Sequence, residues 1–155
     1  MSLTNVLPAF PSVHVYMLSC FSCVQLFEYM DLSSRLPENA VDQDKSTAWV
    51  EGASGAGIGQ SITFYLSGES RISGFQIYGG YQKNEDIYYK NCRPKEIRVT
   101  LSDGSSYDYF LEDSMTMQTV TFPYEIKSSS LTITILSVYP GNKYEDLAIS
   151  DIKLF

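Results

Sequence analysis

From Ser61 onward, apolar and polar residues alternate in short runs that turn residues separate. Such alternation indicates strands, because successive side chains of a strand point to opposite faces of a sheet. The clearest run covers 96–101, and further runs cover 61–66, 71–81, 107–111, 120–122, 131–135 and 147–154. No stretch has a sustained helical period of apolar residues. The pattern predicts six or seven short strands, which is typical of a β-sandwich.

Turn signals set the expected strand boundaries. Asp103-Gly104 predicts a tight hairpin, residues 68–70 predict another turn, and Pro123 predicts the end of a strand. In the last run the apolar positions change parity at Ser150-Asp151. This change predicts a β-bulge that re-aims the Asp151 side chain.

The 155 residues suit one domain. We expect that domain to cover residues 31–155, while residues 1–30 are poorly readable and could add an edge strand to it. The apolar stretch of residues 13–27 is too short to span a bilayer. It also lacks a basic leading region and is interrupted by polar residues, so we find no convincing signal peptide in this chain.

Charge and reactive residues exclude several function classes. The net charge is −7 and no Lys or Arg precedes Arg35, so we expect neither a nucleic acid nor a membrane lipid as partner. Cys20, Cys23 and Cys92 are an odd number without a second pair to close a zinc site, and we interpret them as structural or incidental. His14 is the only histidine and has no evident nucleophile as a partner, so we do not expect an enzyme.

The element NAVDQDKSTAW, from Asn39 to Trp49, resembles the opening N-A-x-D-G-D-x-x-T-x-W element of discoidin domains, also called coagulation factor V/VIII type C domains. The ending YEDLAISDIKLF resembles their closing strand. Residues 79–84, 88–97 and 137–144 are similar to a narrower bacterial subgroup, the module attached to secreted NAD glycohydrolases.

The resemblance implies an all-β, discoidin-like or galactose-binding-domain-like jelly-roll β-sandwich. It also implies an extracellular or cell-surface location, and glycan binding that assists delivery of a toxin. Gln43 stands where the family usually has Gly, and we expect strain there if its φ is positive.

A calcium site is predicted from oxygen-bearing residues near both ends of the domain: Asn39, Asp42, Asp44, Thr47 and Asp151. Calcium prefers six to eight oxygen ligands, and this spacing lets a short loop wrap one ion. The resemblance implies the same arrangement, with Asn39 and Asp44 lending backbone oxygens. The ion would be structural. The alternative is an ordinary turn in which Asp and Thr bond to their own backbone.

A ligand site is predicted from tyrosines interleaved with polar residues, because a sugar site pairs an aromatic face with hydrogen-bonding groups. The favoured surface residues are Tyr81, Lys83, Tyr88, Asn91, Arg93 and Lys143. For any one tyrosine a core position is an equal alternative, and Asn91 and Arg93 could instead hold their loop together. Trp49 is interpreted as a core residue.

We therefore expect a non-catalytic glycan-binding module, with a glycan or glycoprotein as partner. The alternative is a protein–protein adhesion or docking module without a sugar site. These could be separated by whether free sugars compete for binding. The oligomeric state stays open.

Overall fold

A computed structural model of the chain describes residues 15–20, 36–51 and 54–155. In order along these residues, the elements are β1 (Val15–Cys20), a 3₁₀ helix (Pro37–Ala40), β2 (Trp49–Val50), β3 (Ser61–Gly79), α1 (Glu85–Lys90), β4 (Arg93–Leu101), β5 (Ser106–Phe110), β6 (Gln118–Tyr139) and β7 (Ala148–Leu154). His14, Cys23 and most of the segment 1–30 lie outside the described residues. Within the described ranges, no helix has the length and apolar character needed to cross a membrane.

The strands follow the order β2-β7-β3-β6-β4-β5, and β1 pairs with β3. The long strands β3 and β6 take part in both layers. In one layer, residues 62–66 of β3 pair with β1 and residues 61–65 pair with the second half of β6. In the other layer, residues 75–79 of β3 pair with β7 and residues 72–77 pair with the first half of β6. The layers face each other, since the Tyr107 and Tyr109 rings of β5 lie 6.3 and 6.2 Å from the Phe122 ring of β6. The expected jelly-roll β-sandwich is confirmed.

The core lies between the two layers. One layer contributes Phe64, Ile97 and Ile133, and the other contributes Phe75 and Ile152. These side chains alternate along their strands with more exposed residues, as the sequence pattern predicts. Trp49 is completely buried in the same core, so its interpretation as a core residue is confirmed.

The predicted hairpin and bulge are both present. Between β4 and β5, Gly104 has a φ of 86°, and the Leu101 N–H donates to the Ser105 carbonyl at 2.9 Å. In β7, Asp151 pairs with Tyr78 and Ile149 pairs with the next residue of β3, so Ser150 is the extra residue of a bulge. The bulge accounts for the change of parity in the sequence.

Two predicted strand ends are wrong. Residues 68–70 do not end a strand, because a register shift between Tyr65 and Ser70 lets β3 continue past Gly68 at a φ of 70°. Pro123 lies at a second irregularity, between the pairs that Thr121 and Ile126 make with β3. In this half of β6, β3 is the only strand partner among the described residues, so the missing proline N–H costs no ladder hydrogen bond.

Candidate functional site

The helix α1 forms the connection between β3 and β4. The Asn84 side-chain oxygen caps it by accepting a hydrogen bond from the Ile87 N–H at 2.9 Å. Acidic Glu85 and Asp86 occupy its first turn and Lys90 its last, which suits the helix dipole. The sequence pattern did not predict this helix, because six residues are too few to show a helical period. An asparagine followed by two acidic residues was the available signal.

Two adjacent tyrosines of α1 have opposite environments. Tyr88 is 1% exposed, whereas Tyr89 is 41% exposed. Their rings meet edge to face, with centroids 5.1 Å apart. Tyr88 therefore anchors α1 to the domain, and Tyr89 gives α1 an exposed aromatic face.

Arg93, the first residue of β4, ties α1 to two loops. Its Nε and Nη2 donate to both carboxylate oxygens of Asp113 at 2.8 Å, and its Nη1 donates to the carbonyls of Asn91 and Pro140 at 2.9 and 3.2 Å. The guanidinium also lies 5.2 and 5.3 Å from the ring centroids of Tyr88 and Tyr89. This contact fixes the tyrosines relative to the loops.

The charges of this cluster support one another. Burial disfavours the cation of Arg93, but the hydrogen bonds and charge of Asp113 outweigh burial and raise the pKa of Arg93. In return, the hydrogen bonds from Arg93 hold the pKa of Asp113 below its usual value. The Tyr88 hydroxyl donates to Asp113 at 3.0 Å, and burial together with this carboxylate raises the pKa of Tyr88. Arg93 and Asp113 therefore stay ionised as a bound pair at neutral pH, and Tyr88 stays neutral.

Three of the predicted ligand residues are buried. Tyr88 is 1% exposed, Arg93 5% and Asn91 8%, so the expectation that they are surface residues is wrong. The reason is Asp113, which offers Arg93 a bidentate partner and draws the side chain inward. Asn91 donates from its side chain to the Ile87 carbonyl at 2.9 Å. Asn91 and Arg93 thus hold the loop together, as the alternative interpretation stated.

The loop after β6 packs against the end of α1. The N–H of Asn142 donates to the Tyr89 carbonyl at 2.9 Å, and the N–H of Tyr144 donates to the Lys90 carbonyl at 2.8 Å. A Cβ atom on Gly141 would lie 2.4 Å from the Lys90 carbonyl oxygen, so the close approach requires glycine. Buried Cys92 accepts a hydrogen bond from the Gly141 N–H at 3.4 Å and has a structural position.

An open depression of about 630 Å³ lies between α1 and this loop. We call it the α1 groove, and its lining residues are Asn84, Glu85, Asp86, Tyr89 and Asn142. Beside it, Tyr144 is 45% exposed, and the Lys143 Nζ lies 5.2 Å from the Tyr144 ring centroid. The groove combines an aromatic face, two amides and two carboxylates, which is the chemistry that a polyhydroxylated ligand needs.

The remaining predicted ligand residues do not line the groove. Lys83 and Lys143 are exposed and directly precede or follow lining residues in the sequence. Tyr81 is partly buried against the small cluster of Ala48, Val50 and Ala148. The predicted residues come from the same segments as the lining of the groove, but Tyr89 and Asn142 were not among them, because alternation cannot tell which face of a short helix is exposed.

The residues of the predicted calcium site come together in one corner. Asp42 accepts hydrogen bonds from the Thr47 hydroxyl at 2.5 Å and from the Asp44 N–H at 2.8 Å. Asp151 reaches the same loop and accepts from the Gln43 N–H at 3.3 Å. Burial and the charge of Asp42 raise the pKa of Asp151. Nearby, the Asn39 side chain donates to the Ala48 carbonyl at 3.4 Å.

The donor set of this corner consists of oxygen atoms, which suits a hard cation. The same oxygens also accept the loop's own hydrogen bonds, as the alternative turn interpretation requires; Asp44, for example, accepts from the Ser46 N–H and hydroxyl at 2.8 and 2.7 Å. In the part of the chain that the structure describes, no group of three or more His, Cys, Asp or Glu side chains is arranged to hold a metal ion. The calcium site stays a prediction.

Gln43 has a φ of 61°, so the condition under which we expected backbone strain at this position is met. The loop that contains it is joined to the approach to α1 through the bulge residue. The Ser150 hydroxyl accepts a hydrogen bond from the Gln82 N–H at 2.8 Å and donates to the Lys45 carbonyl at 3.4 Å. Ser150 therefore connects the approach to α1 with the corner that contains Asp42, Asp44 and Asp151, which we call the acidic corner.

Several solved structures have a similar fold. The family 32 carbohydrate-binding module of AlyQ, in complex with 4,5-unsaturated mannuronic acid, has a TM-score of 0.63 and 16% identity, covering 94% of this chain and 98% of that one. The galactose complex of the family 32 module of C. perfringens NanJ has a TM-score of 0.63 and 16% identity, covering 89% and 91%. CpGH89CBM32-5 of Clostridium perfringens, in complex with GalNAc-β-1,3-galactose, has a TM-score of 0.66 and 18% identity, covering 90% and 94%. These identities establish a shared fold.

A comparison with curated proteins gave no match. The family described as the NAD glycohydrolase translocation F5/8 type C domain matches residues 25–155. This match spans most of the chain and includes the loop of Asp42, the helix α1 and the closing strand β7. It confirms the resemblance seen in the sequence. The chain therefore belongs to the NAD glycohydrolase translocation F5/8 type C domain family.

Proposed function

We propose that this domain is a non-catalytic glycan-binding module and that the α1 groove is its sugar site. The observation that carries the proposal is the 41% exposed ring of Tyr89, which lines the groove beside the amides of Asn84 and Asn142. A sugar presents apolar C–H faces and a rim of hydroxyls. An aromatic face with amides and carboxylates around it complements both.

The aromatic face is held in place before any ligand arrives. Arg93 lies 5.3 Å from the Tyr89 ring centroid, and the Tyr89 carbonyl accepts the hydrogen bond from Asn142. Fixing a binding side chain in advance removes part of the entropy loss on association. We expect sugar binding with little movement of the backbone around the groove.

The similar structures support a sugar ligand, because their ligands include 4,5-unsaturated mannuronic acid, galactose and the disaccharide GalNAc-β-1,3-galactose. The family description adds a translocation role. We propose that the domain belongs to a secreted or surface-exposed bacterial protein. It would attach that protein to glycans on the surface across which an associated NAD glycohydrolase is translocated. Glycan attachment would raise the local concentration of the attached protein there.

Protein docking is the second candidate, favoured by exposed aromatic side chains that do not line the groove. Phe110 on β5 is 73% exposed and Tyr124 on β6 is 64% exposed. Exposed aromatics of this kind are common in protein interfaces. A docking surface of this type would ignore free sugars.

A glycan array separates the two functions. We expect binding by the wild-type domain, loss of that binding in Tyr89→Ala, and unchanged binding in the matched control Tyr124→Ala. Both variants remove an exposed tyrosine, so a general effect of the substitution would appear in both. A blank array from folded protein would contradict glycan binding and favour docking.

We also propose that the acidic corner holds a structural Ca²⁺, with side-chain oxygens of Asp42, Thr47 and Asp151 and backbone oxygens of Asn39 and Asp44 as ligands. Support comes from Asp151, because burial and the negative charge of Asp42 both raise the pKa of its carboxyl group. A bound cation would relieve this repulsion. It would also tie β7 to the loop that precedes β2.

Calcium should raise the thermal stability of the domain by mass action. At a calcium concentration of about 100 times Kd we expect an increase in Tm of about 5–10 °C, measured against chelator by differential scanning fluorimetry. Asp151→Asn should remove most of this increase, and the control Asp108→Asn on β5 should keep it. Equal melting curves in calcium and in chelator, for protein first stripped of metal in denaturant, would contradict the site.

A further inference from the structure

The α1 groove has an acidic lining. Its five lining residues include the carboxylates of Glu85 and Asp86, and among these five there is no basic side chain. A ligand that sits against the Tyr89 ring therefore meets negative charge at the amino-terminal turn of α1.

The two carboxylates differ in how far their charge is compensated. Asp86 forms an ion pair with Lys90 one helical turn later. Glu85 is exposed and forms no ion pair with any residue of the described ranges. The uncompensated charge that faces the groove is therefore that of Glu85.

Three lysines lie close in sequence to the lining residues, but none of them lines the groove. Lys90 is paired with Asp86. Lys83 and Lys143 are exposed and keep their positive charge, so the charge of Glu85 is uncompensated only within the lining of the groove itself. The net charge of −7 adds to the negative field over the whole molecule.

We infer that the α1 groove selects uncharged glycans against uronic and sialic acids, and that Glu85 sets this preference. The inference rests on the proposed sugar site and names the class of sugar that it takes. A carboxylate is an acceptor with two oxygens, so it can receive hydrogen bonds from neighbouring hydroxyls of a neutral sugar. The same carboxylate repels an acidic sugar.

The test uses ligand pairs that differ mainly in charge. We would measure binding to galactose oligomers and to galacturonic acid oligomers of the same linkage, and to one sialylated glycan before and after methyl esterification of its carboxylate. The wild-type domain should prefer the neutral member of each pair by about fivefold or more, at about 50 mM salt. The preference should weaken as salt is added.

Two variants that each remove one negative charge test whether Glu85 causes the preference for neutral sugars. Glu85→Gln should reduce the preference to about twofold or less. Glu69→Gln should leave it unchanged, because exposed Glu69 lies ten residues along β3 from Gly79, roughly 30 Å away. A melting curve for each variant checks that it is folded.

Each outcome has one meaning. Equal or tighter binding of the acidic ligands would overturn the inference and leave the glycan-binding function standing. A neutral preference that survives in Glu85→Gln would overturn the role of Glu85. Absence of binding to both classes by folded wild-type protein would overturn the proposed function, and the inference with it.

Discussion

Arg93 connects the end of α1 with the loops after β5 and β6 through one side chain. Its side chain is 6% exposed and its bidentate partner Asp113 is 30% exposed. Breaking such a buried pair leaves one charge without compensation, which typically costs about 3–5 kcal/mol. The pair joins the start of β4 to the loop after β5, twenty positions later. No local pattern in the sequence could show that Arg93 would be buried.

The pair gives stability a defined dependence on pH. The pKa of Asp113 is lowered from 3.8, so its carboxylate contributes stability above that value and loses the contribution as pH falls through the lower folded pKa. Asp113→Asn should therefore be less stable than wild type by about 2–4 kcal/mol at about pH 7, with a smaller difference near pH 2. Urea unfolding at several pH values measures this.

The control for Asp113→Asn is Asp108→Asn. Asp108 makes a similar bidentate pair with Arg98, but both side chains are 40% exposed or more. Solvent screens such a pair, so we expect a loss of less than about 1 kcal/mol. A loss for Asp113→Asn that stays constant down to about pH 2 would contradict the assigned charge pair.

Gln43 carries a strained backbone in the acidic corner, with a φ of 61°. A side chain in this conformation typically costs about 1–2 kcal/mol, whereas glycine loses somewhat more chain entropy on folding. Gln43→Gly should therefore raise the free energy of unfolding by about 0.5–1 kcal/mol. The control Lys83→Gly, an exposed loop position without a positive φ, should lower it. A less stable Gln43→Gly variant would show that the glutamine side chain has a stabilising contact.

Among the elements, α1 and the loop after β6 form the groove together. Gly141 is the contact point, since its Cβ position lies 2.4 Å from the carbonyl oxygens of Lys90 and Tyr144. Gly141→Ala must move the loop away from α1, at a cost of about 1–3 kcal/mol. Asn142 would then shift relative to Tyr89, and we expect at least about a tenfold loss of sugar affinity.

The matched control for Gly141→Ala is Gly104→Ala in the hairpin between β4 and β5. Gly104 has a φ of 86° and nothing within 4 Å of its Cβ position, so alanine there costs about 1–2 kcal/mol through backbone strain. Titration calorimetry with a glycan from the array should show unchanged affinity for this variant. Equal affinity losses in both variants would mean that lower stability, and not the position of the loop, reduces binding.

Strand positions could be predicted from the sequence, but strand ends could not. Alternation located the buried faces of β3 and β6, since Ile62, Phe64 and Ile133 are fully buried. Gly68 and Pro123 are ordinary breakers of local structure, yet both strands continue past them. Pairing with distant strands decides whether a breaker becomes a turn or a bulge, and a single sequence does not contain that information.

At the scale of the whole molecule, strand register explains where the groove lies. Gly79 at the end of β3 pairs with Ile149 of β7, and Arg93 at the start of β4 pairs with Tyr139 of β6. The connection that contains α1 and the loop between β6 and β7 therefore leave the same end of the sandwich. Binding loops of sandwich domains commonly cluster at one end. The sequence identified both connections as ligand-binding candidates, but the packing of α1 decided that Tyr89 is the exposed tyrosine.

The most direct test of the central claim is a map of backbone amide chemical shifts during titration with the sugar that gives the strongest array signal. We expect saturable shifts in residues 84–91 and 141–144, which border the α1 groove, with little change around Tyr124 on β6. Shifts that cluster instead on β5 and the first half of β6 would contradict the account, because the ligand would then bind away from α1. An absence of shifts at saturating sugar would contradict it as well.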